Sequence, residues 1–267
     1  MPLAVCATPI GNLEDVTLRV LRELREADLV LCEDTRRARV LLGRHGIAAS
    51  LTSYHEHNEA ERTAEVLPRL QAGARVALVT DAGLPAISDP GARLVAAALD
   101  AGVPVTVLPG PSAVETALVA SGFTAERYQF VGYLPRGAAA LDALWAELAR
   151  WPWALVAFES PRRLPATLRS LAAALPDRGV AVCRELTKQF EEVVRGSARE
   201  VSARFSEPPK GEITIVVAGG EPALPHAAEA SRAVTELVAA GVGRRTAADV
   251  VARLTGVARN TLYRGSL

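Results

Sequence analysis

The sequence has few cysteines, and their spacing excludes two common kinds of stabilised fold. Cys6, Cys32 and Cys183 are the only ones, and each lies in an apolar run far from the other two. An odd number of widely separated cysteines fits neither a disulfide framework nor a zinc site. We therefore expect three reduced, buried thiols in a cytoplasmic protein.

Long apolar runs and net charge are also lacking. No stretch approaches the roughly 18 uninterrupted apolar residues that span a bilayer, and no charged segment precedes the first apolar run, which disfavours a signal peptide. We expect no membrane partner. The 30 basic and 30 acidic residues cancel, so the total charge does not indicate nucleic-acid binding. With 267 residues, 49% of them hydrophobic, the chain is long enough for two lobes with sizeable cores.

Short strand-like runs alternate with helical segments over the first 220 residues. The first series of strands is predicted at 3–6, 29–32, 76–80 and 103–108, with helices at 16–27, 60–71 and 92–100. This alternation predicts a mainly parallel sheet covered by helices. A second series places strands at 129–133, 154–158, 180–183 and 212–218, with helices at 139–150, 164–175 and 198–205.

These series predict an α/β protein of two αβα lobes followed by a small helical module. We assign residues 1–113 to the first lobe and 114–220 to the second, with a helix at 114–120 joining the halves. A turn-rich linker at 219–225 leads to a module at 228–267, with helices predicted at 230–240, 246–254 and 258–264.

The fingerprints of common nucleotide sites are missing. The loop after the first strand, Ala7-Thr-Pro-Ile-Gly-Asn12, contains a single glycine. A dinucleotide fold would show G-x-G-x-x-G at this point. The chain also lacks the G-x-x-x-x-G-K-[ST] motif of a P-loop. Both kinds of site are therefore disfavoured.

Two rigid loops follow predicted strands and point to a ligand of another kind. The segment 80–91 crowds two glycines, two prolines and two aspartates into twelve residues, and 108–113 contains Pro109-Gly110-Pro111. Prolines restrict the backbone and glycines let it approach a ligand closely. The alternative is that both are tight crossover loops in which Asp89 and Ser112 cap the following helices. Because open α/β sheets bind ligands at the carboxyl ends of their strands, one ligand shared by both loops is the stronger interpretation.

Short motifs also follow one another in a characteristic order. They are Thr8-Pro-Ile-Gly-Asn12, Glu33-Asp-Thr-Arg36, Ser53-Tyr-His-Glu-His-Asn-Glu59, the 80–91 and 108–113 loops, Phe158-Glu-Ser-Pro-Arg162, Arg184-Glu-Leu-Thr-Lys188 and Lys210-Gly-Glu212. In this order, over residues 3–218, they resemble the tetrapyrrole-methylase superfamily and, within it, the ribosomal small subunit methyltransferase I family.

The resemblance implies an enzyme with two αβα lobes enclosing S-adenosylmethionine, a homodimer, and 2′-O-methylation of a cytidine in the decoding region of 16S rRNA. It implies a cofactor site on the first loop, the two rigid loops and the second lobe. The residues carried over to that site are Pro9, Gly11, Asp81, Ala82, Gly83, Pro85, Ser88, Asp89, Pro90, Gly110, Pro111, Ser112, Ala113, Phe158, Glu159, Glu212 and Thr214.

Methylation of a ribose hydroxyl is assisted by a group that takes up its proton. The candidates are Glu33, Asp34, His55, Glu185 and Lys188. Each has a structural alternative that we prefer: Asp34 as a helix cap, Glu33 paired with a nearby arginine, and Glu185 with Lys188 as an i,i+3 ion pair. His55 lacks the H-E-x-x-H spacing of a zinc site, so no metal is predicted.

RNA contact is predicted at local arginine clusters, because the guanidinium fork donates two parallel hydrogen bonds to phosphate oxygens. The alternative for such a cluster is a solvated helix face. The tail, 228–267, holds six arginines against three acidic residues, a net charge of +3. Its Ala252-Arg-Leu-Thr-Gly256 segment, followed by Leu262, suits either a helix-turn-helix or a bundle that stabilises a dimer. The predicted RNA-binding residues are Arg36, Arg37, Arg39, Arg162, Arg163, Arg244, Arg245 and Arg259, with Arg44 beside the first cluster.

Two other functions are considered at this point. The same fold acts on corrin precursors or on a diphthine-type protein side chain, although such enzymes do not need a basic tail. A ribosome-binding assembly factor without catalysis is the third hypothesis. Binding of S-adenosylmethionine separates both enzymes from the assembly factor, and methylation of small subunits separates the RNA enzyme from the other.

Overall fold

A computed structural model of the protein describes residues 2–123, 126–220 and 227–265. The strands of the first lobe are β1 (Leu3–Cys6), β2 (Leu29–Cys32), β3 (Leu51–Ser53), β4 (Val76–Leu78) and β5 (Val105–Leu108). Its helices are α1 (Leu18–Glu26), α2 (Thr35–Arg44), α3 (Glu59–Gln71) and α4 (Ala92–Asp100), with a 3₁₀ turn at Leu13–Asp15.

The first sheet is parallel throughout, in the order β3-β2-β4-β1-β5. Every residue of β1, β2 and β4 is buried, because helices cover both faces and the sequences are continuous apolar runs. Residues of α1 and α2, such as Leu24 and Leu41, pack on one face. Residues of α3 and α4, such as Leu70 and Leu94, pack on the other.

The second lobe is built on a mixed sheet in the order β6-β7-β10-β8-β9. Its strands are β6 (Tyr128–Tyr133), β7 (Ala154–Glu159), β8 (Gly179–Arg184), β9 (Glu192–Ser197) and β10 (Ile213–Val217). Its helices are α5 (Ala113–Ser121), α6 (Ala138–Ala149), α7 (Leu164–Ala174) and α8 (Ala198–Arg204). Helix α5, predicted to join the halves, packs on one face of this sheet through Val114 and Leu118, and α6–α8 cover the other.

The predicted parallel arrangement is correct for the first lobe only. In the second lobe β6 and β7 are parallel, whereas β10 runs antiparallel to both β7 and β8, and β8 runs antiparallel to β9. Strand β9 was not predicted, since Glu192-Val-Val-Arg-Gly-Ser197 is a polar edge strand without a buried residue. The short connection from β8 to β9 requires the antiparallel pairing.

The C-terminal helices form a module with its own core. They are α9 (Ala227–Ala239), α10 (Arg244–Thr255) and α11 (Arg259–Gly265). Val234, Val251 and Leu262 pack together at its centre. Gly256 ends α10 in the left-handed conformation, with φ of 72°, and so forms the predicted turn between α10 and α11. Residues 221–225 of the predicted linker, 219–225, lie outside the described residues.

The fold confirms the predicted class of two αβα lobes followed by a helical module. The exact domain limits stay predictions. The three cysteines are buried and unbonded, as expected. Among the helices in the described ranges, none has the length and apolar character that crossing a membrane requires.

Candidate active site

The carboxyl ends of the parallel strands in the first lobe meet along one edge of the sheet. Strands β1, β2, β4 and β5 run in the same direction, so the loops that follow them leave at this edge. These loops carry four of the motifs found in the sequence, at 8–12, 33–36, 80–91 and 108–113. The topology therefore gathers segments that are up to about a hundred residues apart.

The second lobe contributes a matching set of strand ends. Because β10 is antiparallel to its neighbours, its first residue, Ile213, is paired with Glu159 at the end of β7 and with Arg184 at the end of β8. Tyr133, at the end of β6, is paired with Phe158. The motifs at 158–162, 184–188 and 210–212 are thus brought together.

A cavity of about 500 Å³ is lined by both sets of strand ends. Many of the residues chosen from the sequence line it, namely Glu33, Arg37, Asp81, Ala82, Gly83, Asp89, Ser112, Ala113, Phe158, Glu159, Glu212 and Thr214. It is also lined by residues that sequence reasoning did not single out, namely Ile10, Leu84, Ile87, Tyr133, Cys183 and Leu186. For Tyr133 the available signal was its position at the carboxyl end of a predicted strand.

Other residues predicted at the cofactor site lie in the same loops without lining this cavity. They are Pro85, Ser88, Pro90, Gly110 and Pro111. Gly110 lies so close to β1 that a Cβ placed on it would stand 2.9 Å from the Cβ of Ala7. The glycine is therefore required by packing between two neighbouring loops. Pro9 and Gly11 line a second cavity, described below.

The 80–91 loop is tied to the end of β1. Thr8 and Gly83 exchange backbone hydrogen bonds of 2.8 and 3.0 Å, and the Thr8 hydroxyl donates to the carbonyl of Thr80 at 3.0 Å. Within the loop Ala86 and Ser88 have φ of 72° and 61°, a left-handed conformation that L-residues rarely adopt. Such backbone strain persists only where the surroundings enforce it, and it concentrates at ligand sites.

Three carboxyl groups from two loops line the cavity close together: Glu33 follows β2, and Asp81 and Asp89 belong to the 80–91 loop. Burial raises the pKa of Asp89 to about 7, and the negative charges of Glu33 and Asp81 add to the effect. Burial, followed by the charge of Asp81, also raises the pKa of Glu33. Glu33 and Asp89 therefore ionise less readily than isolated carboxyl groups. A cation beside them would relieve this repulsion.

Glu159 also lines the cavity, but its carboxylate is occupied within the second lobe. It accepts hydrogen bonds from the Thr167 hydroxyl at 2.6 Å, the Ser160 amide at 2.6 Å and the Arg163 guanidinium at 3.2 Å. Arg163 donates further to the carbonyls of Leu134 and Pro135, at 2.9 and 2.6 Å. The Arg163 guanidinium therefore holds β7 against the loop after β6, and RNA contact by Arg163 stays a prediction.

Aromatic rings from the second lobe also line the cavity. Phe158 makes edge-to-face contacts with Phe130 and Tyr133, with centroid distances of 5.0 and 5.6 Å. Ile213 and Thr214 of β10 line the cavity next to Phe158. The cavity thus has an aromatic and apolar end in the second lobe and an acidic side in the first.

A second cavity, of about 330 Å³, adjoins the first. The two have Ile10, Arg37, Asp81, Ala82 and Glu212 in common. Two catalytic candidates, Asp34 and Lys188, line only this second cavity. Its other walls come from the loop after β1, from α2, and from the carboxyl ends of β2 and β4.

Lys188 reaches the second cavity from a strained loop of the second lobe. Glu185 and Thr187 have φ of 53° and 64°, and the Lys188 ammonium pairs with Glu185 at 2.8 Å and with Glu212 at 3.0 Å. Although burial opposes it, the bonds to these carboxylates raise the pKa of Lys188, so it is held protonated. The predicted ion pair between Glu185 and Lys188 is present, and Glu185 itself lines neither cavity.

The other candidate, His55, lines neither cavity. Its amide donates to the Asn58 side chain at 2.8 Å, and its ring lies 5.9 Å from that of His57. Within the described ranges, no group of three or more His, Cys, Asp or Glu side chains is arranged to hold a metal ion.

Helix α2 carries several arginines, one of which lines the cavities. Arg36, Arg37 and Arg39 are exposed, and Arg37 lines both cavities while pairing with Asp81 at 3.4 Å. Arg162 is exposed beside Arg163. In the tail, Arg245 and Arg259 are exposed and Arg244 is half-buried, and Arg259 pairs with Asp249.

Comparison with known proteins agrees with this architecture. The family described as Tetrapyrrole (Corrin/Porphyrin) Methylases matches residues 2–202, so the chain belongs to the tetrapyrrole methylases. The fold is similar to that of uroporphyrin-III C-methyltransferase from Thermus thermophilus complexed with S-adenyl homocysteine, with a TM-score of 0.56 and 22% identity over 80% of this chain and 96% of that one.

Sequence relatives define the branch of the family. Ribosomal RNA small subunit methyltransferase I of Micromonospora olivasterospora is 45% identical over 98% of this chain and 85% of that protein. The protein of the same name from Thermotoga maritima is 46% identical over 82% of this chain and 99% of its own length. Within the tetrapyrrole methylases, the branch is therefore that of ribosomal RNA small subunit methyltransferase I.

Proposed function

We propose that the protein transfers a methyl group from S-adenosylmethionine to the ribose 2′-hydroxyl of a cytidine in the 16S rRNA of the small ribosomal subunit. The observation that carries the proposal is a cavity between two lobes with an aromatic end and an acidic side, next to a rim of exposed arginines. The relatives' name supports small-subunit rRNA as substrate. The choice of ribose oxygen and of cytidine follows from the family resemblance of the motifs.

The residues present fit S-adenosylmethionine. A volume of about 500 Å³ lies within the range of roughly 300–1,000 Å³ that cofactor sites occupy. Phe158, Tyr133 and Ile213 offer an apolar surface to an adenine ring. Glu33, Asp81 and Asp89 offer negative charge to a cationic end. When bound, this molecule supplies a methyl group on a positively charged sulfonium.

The contribution of the protein is chiefly to position the reactants. Reacting atoms need to be held roughly 3–3.5 Å apart and in line, and this alignment is a large part of the rate enhancement. The 80–91 loop suits that role, because its anchoring to Thr8 and its left-handed residues leave it little freedom. The acidic side also favours the cation over a product that has lost the sulfonium charge.

Glu33 is our choice for the group that takes the proton of the attacking hydroxyl. It is the one candidate that lines the larger cavity, and its raised pKa makes its carboxylate a better proton acceptor. Asp34 is less basic, because bonds from Arg36 hold its pKa well below its usual range. Lys188 is kept protonated and therefore cannot accept a proton.

We assign RNA binding to the arginines around the cavities and to the tail. Arg36, Arg37 and Arg39 stand on one exposed stretch of α2, where phosphates of a bound strand would meet them. The tail carries a net charge of +3, and the turn at Gly256 between α10 and α11 supports the helix-turn-helix interpretation. We further propose a cytoplasmic homodimer without a bound metal. The buried thiols support the compartment, and the family resemblance supports the dimer.

Methyl transfer to purified small subunits tests the function. The protein is incubated with methyl-labelled S-adenosylmethionine and with 30S particles that lack the modification. We expect label in 16S rRNA, released by complete digestion as 2′-O-methylcytidine. Label on a base, or transfer only to protein or tetrapyrrole, would contradict the proposal.

The role of Glu33 is tested in the same assay. We expect Glu33→Gln to lower kcat by about 10²–10⁴-fold, the usual contribution of a general base, a larger effect than the weaker donor binding that follows from the loss of its negative charge. Glu14→Gln, at an exposed position that lines neither cavity, is the matched control. Equal kcat for both variants would remove Glu33 from the reaction.

A further inference from the structure

We infer that the second cavity, of about 330 Å³, holds the nucleoside that is methylated, after that nucleoside has left its stack in the RNA. This inference rests on the proposed function and assigns the acceptor to a defined part of the molecule. Ile10, Asp81 and Ala82 form a wall common to this cavity and the larger one. A ribose placed at that wall would have its hydroxyl next to the donor.

The depth of the site requires the nucleoside to be unstacked. The carboxylates proposed to face the donor are recessed between the lobes, and Asp81 is only partly accessible. A base held inside an RNA helix cannot bring its ribose to within roughly 3–3.5 Å of a recessed methyl group. Enzymes that modify a nucleotide solve this problem by extruding it into a pocket. A cavity of about 330 Å³ is at the small end of ligand pockets and suits a single nucleoside.

The walls of the second cavity suit a pyrimidine. Pro9, Leu13, Ala38 and Leu41 offer apolar surface to the faces of a base. Asp34 offers a carboxylate, and Arg37 and Lys188 offer cationic donors. The edge of cytosine presents an amino donor next to two acceptors, and carboxylates accept from this amino group. Uracil would present its O4 oxygen to the carboxylate instead, so the lining favours cytosine.

Asp34 is available for this contact at low cost. Its carboxylate now accepts from the Arg36 guanidinium at 2.6 Å, but the Arg36 side chain is 85% exposed. Exposed ion pairs of this kind contribute little stability. The base amino group can therefore replace Arg36, which is then free to bind a phosphate of the same strand.

The two lobes close the second cavity together. Gly11 lies against the Lys188 loop so tightly that a Cβ on it would stand 2.5 Å from Cγ of Lys188 and 2.7 Å from the carbonyl oxygen of Leu186. Thr187, in the same loop, has a buried hydroxyl without a hydrogen-bond partner. The contact at Gly11 keeps the cationic Lys188 opposite the base-facing side of α2.

Filling the cavity tests its assignment. Ala38 is half-buried on α2 and lines only the second cavity. We expect Ala38→Leu to lower kcat/KM for small subunits at least tenfold, with the Kd for S-adenosylmethionine within twofold of the wild type. Ala60→Leu, on the exposed side of α3, is the matched control. If Ala38→Leu does not fold, Val40→Phe replaces it, since Val40 lines the same cavity and is 62% exposed.

Two results would overturn the inference. Full methylation by the filled variant would show that the nucleoside goes elsewhere. A loss of donor affinity equal to the loss of methylation would assign the second cavity to the donor. If the wild type fails to methylate subunits, the proposed function fails. In that case the second cavity is tested separately, by binding of cytidine 5′-monophosphate in the presence of S-adenosylhomocysteine. Ala38→Leu should abolish the binding of cytidine 5′-monophosphate, and Ala60→Leu should not.

Base selection gives an independent readout. We expect Asp34→Asn to reduce the preference for cytidine over uridine at the acceptor position. The preference is the kcat/KM for small subunits that carry cytidine at this position divided by the kcat/KM for subunits that carry uridine there. Asparagine also caps helices, so α2 keeps its start. Asp100→Asn, at the exposed end of α4, is the control. An unchanged ratio in Asp34→Asn would remove this residue from base recognition.

Discussion

The acidic side of the larger cavity predicts that binding of the cationic donor depends on pH and that Asp89 is the main cause. Its pKa is raised to about 7 by burial and by the charges of Glu33 and Asp81. The ionised form of Asp89 attracts a sulfonium, whereas the protonated form does not. Affinity for S-adenosylmethionine should therefore rise as the pH rises through 7.

The size of the effect follows from the titration. With a pKa of about 7, about a tenth of Asp89 is ionised at pH 6 and about nine-tenths at pH 8. If binding requires the ionised form, the Kd for S-adenosylmethionine should fall about tenfold between these values. S-adenosylhomocysteine carries the same amino and carboxyl groups without the sulfonium charge. The ratio of the two affinities therefore isolates the contribution of Asp89.

Isothermal titration calorimetry at pH 6, 7 and 8 measures both ligands. We expect the preference for S-adenosylmethionine over S-adenosylhomocysteine to grow with pH in the wild type and to stay flat in Asp89→Asn. Asp142→Asn, in α6 and away from both cavities, is the control. A preference that is flat in the wild type, or that still grows in Asp89→Asn, would refute the reasoning.

The raised pKa of Asp89 also makes the free energy of unfolding depend on pH. The folded state binds its proton at Asp89 more tightly than the unfolded state, whose pKa is near 3.8. Without ligand, the contribution of Asp89 is therefore fully present below pH 4 and is lost as the pH rises through 7. Urea denaturation of Asp89→Asn should lack this decline between pH 4 and 7.

Three further predictions concern the second lobe, the tail and the rim. Glu159→Ala should lower the free energy of unfolding in urea by about 3 kcal/mol, because the partly buried Arg163 guanidinium loses the carboxylate with which it pairs. An unchanged urea midpoint would contradict this. Deleting 221–267 should weaken small-subunit binding in filter assays. Calorimetry should find donor affinity intact, since no residue of 227–265 lines either cavity. Equal subunit binding would remove the tail from RNA recognition. Arg39→Gln should remove one phosphate contact. The logarithm of the binding constant for small subunits, plotted against the logarithm of the salt concentration, should then have a slope smaller by about 0.7–0.9. Arg25→Gln, at an exposed position of α1, should leave this slope unchanged.

Much of the first lobe could be predicted because its strands are continuous buried runs between clear turns. The limits predicted for β1 and β2 agree with the observed ones, since helices cover both faces and leave no polar residue in the strands. The edge strand β9 has no such run: only Val193 and Val194 of its six residues are apolar apart from Gly196, and without clear alternation the segment resembles a loop. Strand direction in the second sheet depends on which strands become neighbours, which local patterns do not determine.

The site could be predicted only in part for a similar reason. Loops at the carboxyl ends of parallel strands must meet, so Asp81 and Ser112 could be placed on one cavity from the topology alone. The proximity of Glu33 to Asp89 depends on how two loops from different strands approach each other. The orientation of neighbouring arginines also depends on contacts made after folding. Arg162 is exposed, whereas Arg163 donates to Glu159.

A crystal structure of the protein grown with S-adenosylhomocysteine tests the central claim most directly. We predict the ligand in the larger cavity, with its adenine against Phe158 and its sulfur next to Asp89. The second cavity should remain free for a nucleoside. Density for the ligand at another place, or an 80–91 loop packed against β10 so that no cavity is left, would contradict it.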